Sequence, residues 1–321
     1  RYLKFGSETE AAVYQYLTGT LYEWRSHSTA TDSIDATPGQ YIASSKKTAG
    51  SIGIPRYVSS MSNMLIRAMS NSADATFGMK YTEVTGAFNA TAQYAKSNDR
   101  DSVDNLVYTH IKVVGESGKD HLWLFTQNDC TPSFDNGWDA AKKFGTITAP
   151  QLYTEGSDDI YQINGLNDIN GTKLGFQAGA DSEYKLIFNH YNIEQVYPSI
   201  YLFDKVENKM VDITANNSEY KFYSAATPTP VTRFELIART YDKSSDSDTQ
   251  IKVFAANNKI VFENTGSYPA SAGVYDSSGR FIVSAHVNPH SVAYVTIGAS
   301  GVYIARVNTN NEQISKRLIV K

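Results

Sequence analysis

An all-β fold is the structure that this sequence predicts, and three of its features agree. Tyr and Phe are abundant, with 22 and 14 residues among 321, and aromatic side chains are favoured in strands. Apolar and polar residues alternate in many short runs, which is the pattern of a strand with one buried face. Gly, Asn, Asp and Ser recur between these runs and supply turns. The predicted architecture is a jelly-roll-like antiparallel β-sandwich followed by a small C-terminal Ig-like β-sandwich.

Composition and charge exclude several classes of protein. A net charge of −4 leaves no basic surface large enough for nucleic acid. Cys130 is the one cysteine, so no internal disulfide holds the fold. No apolar run reaches the length of a membrane helix. No signal peptide precedes Arg1 and export requires one, so the chain is expected to be a mature or trimmed product.

Shifts in the sequence pattern divide the chain into four parts. Residues 1–39 form an N-terminal segment that fits the end of an upstream domain, and residues 40–240 form the jelly-roll-like domain. Residues 241–249 carry no apolar side chain after Tyr241 and are predicted to be a linker. Residues 250–321 form the Ig-like domain.

Alternating runs give the predicted strands of the first domain, while residues 10–17 fit a helical turn or a strand. The polar stretches 26–38 and 88–105 are predicted to be exposed loops. The strands are predicted at 40–44, 63–68, 76–84, 109–114, 121–126, 173–178, 183–189, 199–204, 218–223 and 232–237. Residues 109–126 are expected to form a hairpin around the turn at 115–118.

The last stretch, residues 251–321, is short apolar runs separated by turn residues, as in a small antiparallel sandwich. Three elements occur in a fixed order: Val274-Tyr275-Asp276 with Gly279-Arg280, Gly301-Val302-Tyr303-Ile304, and the closing run 316–321. This order resembles the type A C-terminal sorting domain of the type IX secretion system of Bacteroidetes. The resemblance implies an Ig-like fold, recognition by an outer-membrane secretion translocon, and often cleavage with surface attachment. The alternative is an ordinary Ig-like module without an address function.

A second resemblance covers most of the preceding domain. Its residues, in order, are Ile54-Pro55, Trp123, the run from Phe134 to Asp139, Leu152-Tyr153, Leu202-Phe203-Asp204, Tyr220 with Phe222, and the run from Arg233 to Leu236. They are similar to the β-sandwich region that often precedes sorting domains in Bacteroidetes surface proteins. The resemblance implies a fold and a location, extracellular or at the cell surface of a Gram-negative bacterium. It implies no settled activity.

A calcium site is the metal hypothesis. Asp135 and Asp139 lie four residues apart around Gly137, and clustered carboxylates in a Gly-containing loop suit the flexible oxygen coordination of Ca²⁺. The alternative is that both aspartates cap turns by accepting backbone N–H bonds. A similar acidic loop lies at 99–104. The cofactor prediction is therefore none beyond a structural calcium ion.

No catalytic constellation is evident in the sequence, so the chain is predicted not to be an enzyme. The six histidines have no partner at metal-ligand spacing, and no G-x-S-x-G run is present. Cys130 is expected to be a partly buried, inert thiol. Trp123 lies in an apolar run and is predicted to be in the core, whereas Trp138 is expected to be more exposed.

Two triplets, Asp32-Ser33-Ile34 and Asp101-Ser102-Val103, resemble the O-glycosylation acceptor of Bacteroidetes. Both lie in predicted polar loops, where a glycan can be accommodated. The implied acceptors are the hydroxyls of Ser33 and Ser102. The alternative is plain loop sequence.

Taken together, these features predict a secreted or cell-surface, non-catalytic β protein with an adhesive or structural role, exported through its C-terminal domain. The predicted partners are the secretion translocon and a glycan or host surface protein, without nucleic acid. The alternative function is a carbohydrate-binding accessory region of a larger secreted hydrolase.

Overall fold

The computed structural model describes residues 3–17, 23–25, 33–35, 40–56, 58, 64–69, 74–79, 105–145, 147–226, 229–241, 249–310 and 313–321. Within these ranges the secondary structure is almost entirely β, and helical structure is confined to the 3₁₀ turn Ile193–Gln195. The all-β fold class is confirmed. None of the helical structure in the described ranges has the length and hydrophobicity needed to cross a bilayer.

The chain forms two compact units that interleave along the sequence. The first unit comprises Arg1–Asp168, Lys173–Ile193 and Ala215–Arg233, and the second comprises Ile169–Thr172, Glu194–Thr214 and Phe234–Lys321. This division differs from a single boundary at 241–249, most of which lies outside the described residues. The separate Ig-like domain at 250–321 stays a prediction.

The first unit contains most of the strands. They are β1 (Leu3–Phe5), β2 (Ala12–Leu17), β3 (Glu23–Arg25), β4 (Ser33–Asp35), β5 (Gln40–Ser45), β6 (Met64–Leu65), β7 (Phe77–Met79), β8 (Val107–Val114), β9 (Lys119–Thr126), β10 (Ala140–Ala141), β11 (Gln151–Glu155), β12 (Ile160–Leu166), β13 (Lys173–Gln177), β14 (Glu183–Tyr191) and β17 (Ser218–Tyr223).

Seven of these strands lie side by side in the order β13-β11-β12-β9-β8-β14-β17, and β10 pairs with β12. The predicted hairpin is confirmed, because β8 and β9 pair antiparallel and the Gly115 N–H donates to the Gly118 carbonyl at 2.9 Å. Antiparallel pairing predominates among these strands, as predicted, but β9 and β12 run parallel. The chain between them crosses through β10 and β11, and alternation within a strand does not encode its direction.

The hydrophobic core of the first unit lies beneath these strands. Trp123 is fully buried there, as predicted, together with Tyr14 and Phe125. A loop covers the indole, since its Nε1 donates to the Ile52 carbonyl at 3.0 Å. Trp138 is half-buried against the same core, so its predicted exposure is only partial. Large aromatic side chains therefore contribute much buried apolar surface to this core.

The second unit contains the C-terminal strands and three earlier ones. Its strands are β15 (Ser199–Asp204), β16 (Lys209–Asp212), β18 (Val231–Arg239, shared with the first unit), β19 (Ile251–Ala256), β20 (Lys259–Asn264), β21 (Ala270–Asp276), β22 (Phe281–Val287), β23 (Ser291–Thr296), β24 (Gly301–Asn308) and β25 (Gln313–Val320). The sheets β19-β20-β23 and β22-β21-β24-β25 enclose one core, which includes Phe262, Val274 and Ala305. β16, β15 and β18 lie side by side.

The outer face of the β19-β20-β23 sheet is covered by β15 and β18. Phe254 and Val261 form a second buried cluster with Tyr201, Phe203 and Ile237. The ring of Phe203 meets that of Tyr294, with 5.1 Å between their centroids. The C-terminal sandwich thus shares buried apolar surface with strands that precede it by tens of residues.

This shared cluster gives a test of the domain boundary. We expect residues 250–321 expressed alone to unfold cooperatively, because one core is complete within them. Phe254→Ala should cost about 3 kcal/mol in the full chain, where the ring is buried, and well under about 1 kcal/mol in the fragment. Urea unfolding of both proteins measures the two losses. Equal losses would mean that β15 and β18 do not contribute to burying Phe254.

Candidate functional site

The Asp135–Asp139 loop is closed by hydrogen bonds to backbone N–H groups. Asp135 Oδ2 accepts from the Thr131 N–H at 2.6 Å. Asp139 Oδ2 accepts from the Asp135 N–H at 2.6 Å, and its Oδ1 accepts from the Gly165 N–H at 2.6 Å. Gly137 has a φ of +92°, which favours glycine at this position. These bonds are the ones expected of turn-capping carboxylates.

Burial raises the pKa values of two groups at this loop, Asp139 and Cys130. Asp139 is fully buried, and desolvation raises the pKa of its carboxyl to about 7, against the lowering effect of the two N–H donors. The negative charges of Asp135 and Asp158 add to the rise. Burial together with the neighbouring aspartates also raises the pKa of the Cys130 thiol to about 12. Cys130 is therefore protonated at neutral pH and unreactive, as the sequence predicts.

A second loop brings further acidic residues to the same corner. The Ser133 and Ser157 hydroxyls lie 2.7 Å apart, and the Phe134 N–H donates to Asp158 at 3.1 Å. We call Asp129, Asp135, Asp158 and Asp159 the acidic rim. Within the described ranges, no group of three or more His, Cys, Asp or Glu side chains is arranged to hold a metal ion. Calcium binding at Asp135 and Asp139 stays a prediction, and the loop at 99–104 lies outside the described residues.

A buried polar network ties five strands or strand ends of the first unit together. The Lys142 ammonium forms an ion pair with the Asp120 carboxylate, and both side chains are fully buried. Asp120 also accepts from the Leu152 N–H at 2.7 Å. The Gln162 amide donates to Asp120 at 3.4 Å and accepts from the Ala43 N–H at 3.0 Å. Each buried polar group thus has partners, as burial requires.

A second buried acid lies in the same unit. Glu10 accepts hydrogen bonds from the Tyr14 hydroxyl and from the Ala141 N–H, the latter at 3.3 Å. Arg67 bridges outward, with its Nε 3.6 Å from Glu10 and its Nη1 3.1 Å from Asp159. Burial and the Glu10 charge raise the pKa of the Tyr14 hydroxyl. The phenol therefore stays a donor to Glu10 and serves structure.

Two histidines that lie 11 residues apart in sequence meet across β8 and β9. His110 Nε2 and His121 Nδ1 lie 2.9 Å apart, and both rings stack with Trp123. Burial, with nearby positive charge, lowers the pKa of His110 to about 3 and of His121 to about 4. Both imidazoles are therefore neutral at pH 7. Single-sequence spacing misses this pair because it is a cross-strand contact.

The glycosylation candidates are placed only in part. Ser33 lies in β4, which pairs with β3 through Arg25 and Ser33, so the predicted loop 26–38 is wrong at 33–35. The polar composition of this stretch does not indicate the three-residue strand, which is defined by its pairing with β3. Ser102 lies outside the described residues. Modification of Ser33 and Ser102 stays a prediction.

The buried ion pair predicts a large and specific loss of stability. Lys142→Met leaves the Asp120 carboxylate buried without its cation, so we expect a loss of about 3–5 kcal/mol. The matched control is Lys185→Met, whose ion pair with Glu219 at 2.8 Å is largely solvated and should contribute less than about 1 kcal/mol. Urea unfolding measures both, and similar losses would contradict the role given to Asp120. The double variant D120N/K142M should recover part of the loss.

The raised pKa of Asp139 predicts an unusual pH dependence of the stability of the folded protein. Its folded pKa of about 7 exceeds its ordinary value of 3.8, so the folded state holds the proton more tightly, and this contribution to stability is lost as the pH rises through 7. Asp139→Asn removes the titration. The melting temperature of D139N relative to wild type should therefore rise between pH 5 and pH 8. A difference that does not change with pH would show that Asp139 is ionised throughout.

Calcium provides a separate test of the same loop. If the ion binds the folded state, calcium should raise the melting temperature of the wild type, and D135N/D139N should abolish that rise. Magnesium at the same concentration is the control, because it demands stricter octahedral geometry. No effect of calcium on the wild type would leave turn capping as the whole role of the two aspartates.

The comparison with known proteins finds a similar bacterial surface protein. The chain is 27% identical over 328 aligned residues to the minor fimbrium subunit Mfa5 of Porphyromonas gingivalis. The alignment covers 98% of this chain and 26% of that protein, so the chain spans about a quarter of the length of its relative. No family model matches the chain. The chain is a distant homologue of a Bacteroidetes surface protein.

Proposed function

We propose that this chain is a non-catalytic structural or adhesive part of a bacterial surface fimbrium, exported through its C-terminal Ig-like sandwich by type IX secretion. The observation that carries the proposal is the similarity to a minor fimbrium subunit across nearly the whole chain. A location at the cell surface or outside the cell follows from the same similarity.

The chemistry of the first unit supports a structural role. Asp120 and Lys142 neutralise each other in the core, Glu10 is bonded to Tyr14, and the Cys130 thiol is protonated. Catalysis requires a nucleophile, acid or base that is aimed at an accessible reacting atom. These groups are buried, and the charged ones lie close to oppositely charged side chains of the protein. In the described part of the first unit they tie strands together and are not accessible to a substrate.

The alternative of a carbohydrate-binding region gains no support from Trp138. A stacking platform needs an open aromatic face. The Trp138 ring is half-buried, and the Lys47 ammonium lies 4.8 Å from its centroid. We therefore keep the fimbrial proposal alone.

The elements that resemble a sorting domain have structural roles in the C-terminal sandwich. Asp276 accepts hydrogen bonds from the Ser278 N–H at 2.9 Å and the Arg280 N–H at 3.0 Å. Gly279 has a φ of +84°, so the Asp-x-x-Gly-Arg run forms a tight turn. The hydrogen bond from the Ser278 hydroxyl leads the causes that lower the pKa of the Asp276 carboxyl to about 2. The carboxylate that holds this turn therefore stays ionised at mildly acid pH.

The terminal strand β25 is the element most suited to be an export signal. Among the described strands it lies at the edge of its sheet and pairs with β24. An unpaired edge offers backbone groups to another chain. Leu318 and Val320 point into the core, whereas Arg317 and Ile319 are exposed. One strand can thus close the sandwich and present side chains to a translocon.

Removal of the terminal residues tests export. We expect deletion of 318–321 to leave the protein in the periplasm of a host with type IX secretion, measured by fractionation and surface labelling. Because Leu318 and Val320 are core residues, a second variant, R317E/I319E, changes only exposed side chains. Its folding is checked by thermal unfolding. Undiminished surface display of both variants would reject the export signal, though not the fimbrial role.

A further inference from the structure

The outer face of the β22-β21-β24-β25 sheet is exposed, unlike that of the opposite sheet. Phe281, Tyr275, Ile304 and Arg317 form one row across the four strands, as cross-strand partners. Phe281 is 55% exposed, and Ile319 on β25 is 66% exposed. A face with such large exposed apolar side chains is typical of a binding surface.

Arginines give this face a positive charge. The Arg306 guanidinium lies 5.1 Å from the centroid of the Tyr275 ring, and the Phe281 ring lies 5.7 Å from it. Within the described part of the chain, neither Arg306 nor Arg317 has a carboxylate at ion-pair distance. Asp276, at the end of β21, is engaged by its own turn and by Arg280. We call Tyr275, Phe281, Arg306, Arg317 and Ile319 the basic face.

The sequence is strongly asymmetric in charge. Residues 251–321 hold seven Lys and Arg against three Asp and Glu, a net charge of +4. Residues 1–250 hold 22 against 30, a net charge of −8. Opposite charges on two parts of one chain favour contacts between the basic part of one copy and the acidic part of another.

The acidic rim is a negatively charged surface on the first unit, complementary in charge to the basic face. Asp129 and Asp158 are both exposed there. Hydrogen bonds from Phe134 at 3.1 Å and Tyr161 at 2.6 Å hold the Asp158 carboxylate in place. They also lower the pKa of this carboxyl, so it stays ionised at neutral and mildly acid pH. The rim therefore presents positioned negative charge.

We propose that the basic face of one copy of this chain docks on the acidic rim of a second copy, giving head-to-tail self-association. Aromatic and arginine side chains at the centre of such a contact provide burial and charge pairing. The two surfaces differ, so the contact is heterologous and repeats into an open chain where rotation does not close it. The inference deepens the proposed fimbrial role, since it names the surfaces through which subunits join.

Salt dependence and charge reversal test this contact on the full chain. Sedimentation velocity should show reversible association at about 20 mM salt and its loss at about 500 mM, because the screening length falls from about 20 Å to about 4 Å. R306E/R317E should weaken association at least about tenfold. The matched control is K173E/K221E, which makes the same change in net charge at exposed lysines of the first unit. It should not weaken association.

A charge swap makes the test specific. D129K/D158K should also lose self-association, and its mixture with R306E/R317E should recover it, because the reversed surfaces match again. D129K alone is the milder variant if loss of the Asp158 bonds lowers the melting temperature.

Three results would overturn the inference. The first is a wild type that stays monomeric at low salt. The second is equal weakening of association by K173E/K221E and R306E/R317E. The third is a wild type that binds dextran sulfate through Arg306 and Arg317 while it remains a monomer. Each of them leaves the display experiment on the fimbrial proposal unaffected.

Discussion

A buried lysine–carboxylate pair is the interaction on which each unit depends. Removing two charges from water costs several kcal/mol per ion, and only close pairing with further hydrogen bonds offsets it. Asp120 meets this requirement with Lys142, Leu152 and Gln162. In the second unit, Lys259 pairs with Glu235 at 2.9 Å. Glu235 also accepts from Asn257 at 2.8 Å.

These pairs restrict which arrangements of strands are acceptable. An apolar core tolerates small shifts in register, because hydrophobic contacts are non-directional. A buried carboxylate does not, since a shift would leave Asp120 or Lys142 charged and unpaired in the core. The chain has one cysteine and no disulfide to supply that specificity. Polar pairing beneath the sheets therefore selects one packing from several that would bury equal apolar area.

The strands could be predicted from the sequence where they are half-buried and alternate, as at β17, whose bounds match the prediction. The bounds of β15 also match, although all of its residues are buried. The fully buried strands β11 and β12 lack that alternation and were not predicted. The Asp120 network could not be predicted from the sequence, for another reason. Its partners Lys142, Leu152 and Gln162 lie 22, 32 and 42 residues away in sequence, and only the sheet order brings them together. Asp135 and Asp139 were found because the bonds that close their loop are local, although Asp139 also accepts from Gly165, 26 residues away.

The residues of the C-terminal motif fall into two sets, those that form the core of the sandwich and those that lie on its surface. Along β24 and β25, Tyr303, Ala305, Leu318 and Val320 point inward and form the core of the sandwich. The residues between them point outward and do not form part of this core. The inward set and the Asp276 turn account for an Ig-like fold by themselves. Along β24 and β25, an export or docking function would reside in the outward side chains or in the edge of β25, because these are the parts of the two strands that another molecule can reach.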